Sequence, residues 1–120
     1  MKYIVGARGS QLSVAQTNWV ISELKKANSD CDYEIKPITT KGDTDTRPLF
    51  VIDQKGIFEK EIDRAVAQKE VDFAVHSLKD VPSELDENLT LASIPKREVV
   101  NDVFISSDGS TLDNIKEGSV

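Results

Sequence analysis

The chain is poor in the residues that most often build metal sites and disulfides. Of its 120 residues, one is cysteine, Cys31, and one is histidine, His76. A lone cysteine excludes an internal disulfide and a cysteine-rich zinc site, and a lone histidine excludes a His-rich metal site, so no metal is expected. Cys31 follows Asp30 in a polar connection and reads as incidental rather than as a nucleophile. Apolar runs are a few residues long, too short to span a bilayer. Met1-Lys2-Tyr3-Ile4-Val5 enters a strand directly, without an apolar leader or a small-residue cleavage site, so the expected setting is the cytoplasm with no membrane partner. Positive charge is also in deficit, with 15 Lys and Arg against 21 Asp and Glu and a net charge of −6. A field of that sign disfavours nucleic acid as the main partner, although it leaves room for a local basic pocket. Neither G-x-G-x-x-G nor G-x-x-x-x-G-K-[ST] occurs, so nucleotide binding has little support.

What remains is a globular profile, 38% hydrophobic and 30% charged, long enough for one modest domain. Lys2 to Ala7 predicts a first strand. A helix is expected from about Ser10 to Ala27, with Leu12, Ala15, Trp19, Val20, Leu24 and Ala27 at three- and four-residue spacing. Tyr33 to Ile38 predicts a second strand, and Pro37 places it at an edge or strand end. Thr39 to Gly56 is a long connection, either a lid over a ligand or a structureless loop. A second helix should begin near Ile57, carrying Phe58, Ile62, Ala65 and Val66 on one face. Phe73-Ala74-Val75 predicts a third strand, Leu89–Ile94 and Val103–Ser106 two more, and Asp113–Glu117 a turn or short helix. Glu84, Asp86 and Glu87 read as a solvated loop. This β-α-β-α-β order points to an α/β fold with a parallel or mixed, mostly parallel sheet flanked by helices.

Chemistry concentrates where strands end. Asp72 to Pro82 runs from a buried strand into Ser77, Lys79 and Asp80, and Pro82 holds Val81 extended. Ligands of open α/β sheets sit beyond the carboxyl ends of parallel strands. A cation beside an anion there suits an anionic ligand that also exchanges a proton. The competing reading is a capped turn with a surface ion pair. Gly6-Ala7-Arg8-Gly9-Ser10 joins the first strand to the first helix. It is either an anion site, with Arg8 binding a carboxylate at a helix start, or a glycine turn with Ser10 as N-cap. Right-handed crossovers would bring these two turns to one sheet edge. Arg8, Lys41, Arg47, Lys55 and Lys79 all lie at element ends or in loops and could converge. Phe58 either stacks on a flat ligand or packs in the core, and His76 reads as a packed strand residue. Asp80 is the best acid–base candidate.

Ala7-Arg8-Gly9-Ser10 with Leu12 and Gln16, Lys41-Gly42-Asp43, Lys55-Gly56-Ile57-Phe58 with Lys60-Glu61, and Val75 through Pro82 together resemble the porphobilinogen deaminase (hydroxymethylbilane synthase) family. The motifs run in order through nearly the whole chain. The resemblance implies a domain like the type II periplasmic binding proteins, the first of three. It implies condensation of four porphobilinogen molecules into hydroxymethylbilane with release of ammonia, primed by a dipyrromethane cofactor. By resemblance Asp80 is catalytic, Arg8, Ser10, Ser77 and Lys79 bind the cofactor, and Lys55 and Phe58 bind substrate. The family's cofactor cysteine belongs to a C-terminal domain, and Cys31 matches no such residue. The expected division is 1–97 as domain one and 98–120 as a hinge with the beginning of a truncated domain two, inactive alone. Val100 and Asn101 depart from the proline and arginine usual before the position of Asp102. The alternatives are a periplasmic-binding-like module that captures a small anion without catalysis, or an interaction domain whose polar turn is only structural.

Overall fold

The computed structural model describes residues 1–44 and 59–118. Strand β1 (Lys2–Arg8) is the central strand of a three-stranded sheet, flanked by β2 (Asp32–Ile38) and β3 (Phe73–Ala74) in the order β2-β1-β3. Both flanking strands run parallel to β1, with Val5 opposite Ile35 on one side and Phe73 on the other. Centrality explains why Val5, Gly6 and Ala7 form a buried run. Tyr3 and Tyr33 are register partners and their rings stack at 5.6 Å, while Phe73 meets Tyr33 edge-on at 6.4 Å. Pro37 sits on the edge strand, where a missing donor costs no ladder bond. β3 is short but well anchored. Asp72 N–H donates to the Ile4 carbonyl at 2.8 Å, Val75 N–H donates to that of Gly6 at 3.2 Å, and Ile4 N–H donates to Asp72 Oδ2 at 2.7 Å.

Helix α1 (Gln11–Ala27) follows β1, the four-residue α2 (Lys41–Thr44) follows β2, and α3 (Lys60–Ala67) leads to β3. The core joins Val5 and Ala7 of β1 to Ile21 of α1, Ile62 and Ala65 of α3, and Val71. Two expectations need correction. The buried positions of α1 are Thr17 and Ile21, not Leu12 or Trp19, which are 61% and 38% exposed. Thr17 can be buried because its hydroxyl donates to the Ser13 carbonyl at 2.8 Å. The Trp19, Val20, Leu24 and Ala27 stripe instead faces a groove of about 730 Å³, shared with β3 and residues 88–95. Leu89–Ile94 and Val103–Ser106 are not strands. Alternation of apolar side chains makes a strand only where a ladder and a covering face are present. Leu91, Ile94, Val103 and Ile105 are all exposed. The described sheet is therefore wholly parallel. Asp113–Glu117 contributes a turn, closed by Ile115 N–H donating to the Thr111 carbonyl at 2.9 Å.

Gly6 marks the tightest packing. A Cβ there would lie 3.1 Å from Val71 Cγ2 and 3.3 Å from Ile38 Cδ1. Overpacking costs about 1–3 kcal/mol, while losing a strand glycine recovers about 0.5–1 kcal/mol. Gly6→Ala is expected to destabilise the chain by about 1 kcal/mol in urea unfolding, and a stabilising effect would contradict this packing.

Candidate functional site

Because the strands are parallel, β1 and β3 end at the same edge of the sheet, and the turns that follow them meet. Arg8 closes β1. Ser10 caps α1 with its hydroxyl accepting from Ser13 N–H at 3.3 Å, as the N-cap reading anticipates. From the other side, Val75 and His76 follow β3, Ser77 is extended, and Leu78–Asp80 form one 3-10 turn, with Asp80 N–H donating to the Ser77 carbonyl at 2.9 Å. Together they line a cleft of about 150 Å³ that contains Arg8, Ser10, Gln16, Ser77, Lys79 and Asp80. Five of the residues singled out from the sequence thus converge. Lys55 and Phe58, together with Arg47 and most of the Thr39–Gly56 connection, lie outside the described residues. Lys41 is exposed on α2 and does not line the cleft.

The cleft is stitched across its two halves. Ser77 Oγ donates to Gln16 Oε1 at 2.7 Å, which links the β3 turn to helix α1. Arg8 donates from Nε and Nη2 to Asp43 Oδ1 at 3.1 and 2.5 Å, which links the end of β1 to α2. Asp43 Oδ2 in turn accepts from Thr40 N–H at 3.0 Å and from the Thr40 hydroxyl at 2.8 Å. Burial pushes the Asp43 carboxyl up, but the hydrogen bonds from Arg8 and Thr40 and the nearby guanidinium charge outweigh it and hold the pKa below the usual carboxylate value. His76, largely buried, also borders the cleft, with Nε2 3.5 Å from Asp63 Oδ1 of α3. It is packed, as expected, but it follows β3 rather than lying within the strand.

Sequence reasoning gave no task to Gln16, Thr40 or Asp43. Gln16 lies one helical turn beyond Leu12 and Ser13 on the face that looks at the strand ends. Thr40 three residues before Asp43 is the spacing of a local side-chain turn, a signal that was available. What such a turn would hold could not be read without the parallel pairing of β1 and β2. Among the described residues no group of three His, Cys, Asp or Glu side chains could hold a metal ion. None of the described helices is long and apolar enough to cross a membrane.

Residues 3–120 match the family described as "Porphobilinogen deaminase, dipyromethane cofactor binding domain". The chain belongs to the porphobilinogen deaminase family. Over 120 residues it is 87% identical to the "Probable porphobilinogen deaminase" of Nitrosopumilus maritimus, covering 100% of the chain and 39% of that relative. It is 48% identical to the porphobilinogen deaminase of Halalkalibacterium halodurans and 46% identical to that of Brevibacillus brevis, covering 99% of the chain and 39% of each relative. The chain thus spans 39% of the length of these deaminases. The resemblance drawn from the motifs and the α/β expectation both agree with this assignment.

The donor set suits a dipyrromethane. Its pyrrole carboxylates call for cations and hydroxyl donors, and the cleft offers Arg8 and Lys79 beside Ser10 and Ser77. Cys31 stands at the wrong end of the sheet to anchor such a group. It precedes β2, whose first residue pairs with Lys2, whereas the cleft lies past Arg8. At about 3.3 Å per residue, a seven-residue strand separates them by roughly 20 Å.

Proposed function

We propose that this chain supplies one wall of the active site of a porphobilinogen deaminase, a cytoplasmic transferase that condenses four porphobilinogen molecules into hydroxymethylbilane with loss of ammonia. The observation that carries this reading is the meeting of Arg8, Ser10, Ser77, Lys79 and Asp80 in one cleft at the strand ends, in a chain of that family. Arg8 and Lys79 hold pyrrole carboxylates, Ser10 donates to the same groups, and Ser77 joins them once its hydroxyl turns from Gln16. When bound, dipyrromethane provides the primer on which the chain of pyrroles grows. Asp80 holds and returns a proton at the pyrrole nitrogens and offsets positive charge there. Lys55 and Phe58 are assigned to substrate.

The volume of the cleft supports a shared site. About 150 Å³ is below the roughly 300–1,000 Å³ typical of small-molecule sites, so this wall holds part of a ligand. On this reading residues 1–97 form domain one and 98–120 lead into a second domain. The cysteine that carries the cofactor comes from a further domain, and the 120 residues alone neither assemble dipyrromethane nor turn over substrate.

The test is an exchange. The matching 120 residues of the Nitrosopumilus maritimus relative are replaced by this chain, and the product is assayed for dipyrromethane loading and porphobilinogen consumption. The exchanged protein should load and turn over, while the isolated chain incubated with porphobilinogen should gain no mass. A covalent dipyrrole on Cys31, or an exchanged protein that loads nothing, would sink the proposal. An exchanged protein that binds small carboxylates but consumes no porphobilinogen would favour the anion-binding module.

A further inference from the structure

Arg8 is a long, flexible side chain at a strand end, and such side chains bind planar anions well only when the guanidinium is held in one orientation. Here something holds it. Asp43 Oδ1 takes both Nε and Nη2 of Arg8, and Asp43 Oδ2 takes the N–H and hydroxyl of Thr40, a residue only 1% exposed. Both carboxylate oxygens are therefore committed, one to the guanidinium and one to buried backbone. We propose that Asp43 is a positioning residue. It fixes the plane of Arg8 at the rim of the cleft so that the guanidinium meets a pyrrole carboxylate in one orientation. The inference rests on the reading of the cleft given above.

An alternative task for Asp43 would be competition, its own carboxylate occupying Arg8 until a ligand displaces it. The Thr40 bonds argue against that. A displaced Asp43 would have to leave the Thr40 N–H and hydroxyl as well, and a buried donor stripped of its partner is costly. Negative charge beside Arg8 does weaken its pull on an anion, but the tether removes the search through side-chain rotamers before binding. The arrangement also requires a carboxylate. An asparagine has one acceptor and one donor end. Placing its oxygen on Arg8 turns its NH₂ towards the Thr40 N–H, and the reverse placement points NH₂ at the guanidinium. In the first placement the Thr40 N–H loses its acceptor, although the Thr40 hydroxyl can still accept from the NH₂, and in the second the guanidinium loses its acceptor.

The test uses the exchanged protein in its apo form, with the rate of dipyrromethane loading from porphobilinogen followed by intact mass. Asp43→Asn should slow loading about tenfold or more, in line with the effect of misplacing a binding group by about 1 Å. Asp43→Glu, which keeps two acceptors, should recover most of the rate. Thr40→Val removes one of the two bonds on Oδ2 and should give a smaller loss. The deciding arm is a double-mutant cycle. In an Arg8→Ala background, Asp43→Asn should add nothing, because there is no guanidinium left to orient. An unchanged loading rate in Asp43→Asn overturns the proposal. So does a defect that persists undiminished in the Arg8→Ala background, which would make Asp43 a purely structural residue of the α2 turn. Faster loading in Asp43→Asn would show competition instead. If the unsubstituted exchanged protein does not load at all, the functional reading itself fails and this inference with it.

Discussion

Asp80→Asn in the exchanged deaminase is expected to lower porphobilinogen turnover by at least about 10²-fold, or about 3 kcal/mol of barrier. The substitution keeps the shape of the side chain and removes its charge and its ability to accept a proton. Asp80 sits in the 3-10 turn that ends the β3 segment, is partly exposed and lines the cleft, so little packing depends on it. Thermal stability should therefore stay close to that of the unsubstituted protein. Its neighbour Lys79, exposed and assigned to carboxylate binding, provides the contrast. Lys79→Ala should slow dipyrromethane loading and make it more sensitive to added salt, since an exposed charge is readily screened. Asp80→Asn protein that carries its cofactor and turns over at a near-normal rate would reduce Asp80 to a structural turn residue.

The second large effect belongs to the core. Ile62 of α3 is fully buried, and one of its methyl carbons lies 3.6 Å from where a Gly6 Cβ would stand, directly against the central strand. Ile62→Ala should destabilise the 120-residue chain by about 2–5 kcal/mol, and Ile62→Val by about 0.5–1.5 kcal/mol. Against a total of about 5–15 kcal/mol for an ordinary domain, the alanine variant approaches the limit of folding. The core explains the severity. Its buried apolar members are Val5, Ala7, Ile21, Ile62, Ala65 and Val71, and no second cluster among the described residues can take over the role of Ile62. Urea unfolding measures both variants, and a loss below about 1 kcal/mol for Ile62→Ala would mean that α3 does not seat on β1 in this way.

The parts legible in the sequence were those set by local chemistry. The strand from Lys2 to Ala7, one residue short of its observed end, the Ser10 cap, the α1 end at Ala27 and the turn after Val75 each follow from neighbours in the chain, and parallel pairing then brought the strand ends together. What was illegible depends on partners far away. Leu89–Ile94 alternates like a strand but has no ladder to join. Thr17 carries no apolar signal for burial, and only its bond to the Ser13 carbonyl shows how the helix buries it. Asp43 reaches Arg8 only because β2 lies beside β1 and carries α2 up to its end.

The central place of β1 also sets an order of events during synthesis. Of the three described strands β1 leaves the ribosome before the others, yet one of its two edges waits for a partner that lies 68 residues later, where Asp72 meets Ile4. At about 5–20 residues per second, that edge stays open for roughly 3–14 s after β1 emerges. β2 can pair with β1 in the meantime, leaving a two-stranded ribbon with an unsatisfied row of N–H and C=O groups along Ile4 and Gly6. Such a row is a template for another strand, including the same strand of a neighbouring nascent chain. The arrival of β3 closes that edge and assembles the cleft in one step, so the central strand ceases to be open to mispairing when the cleft first forms.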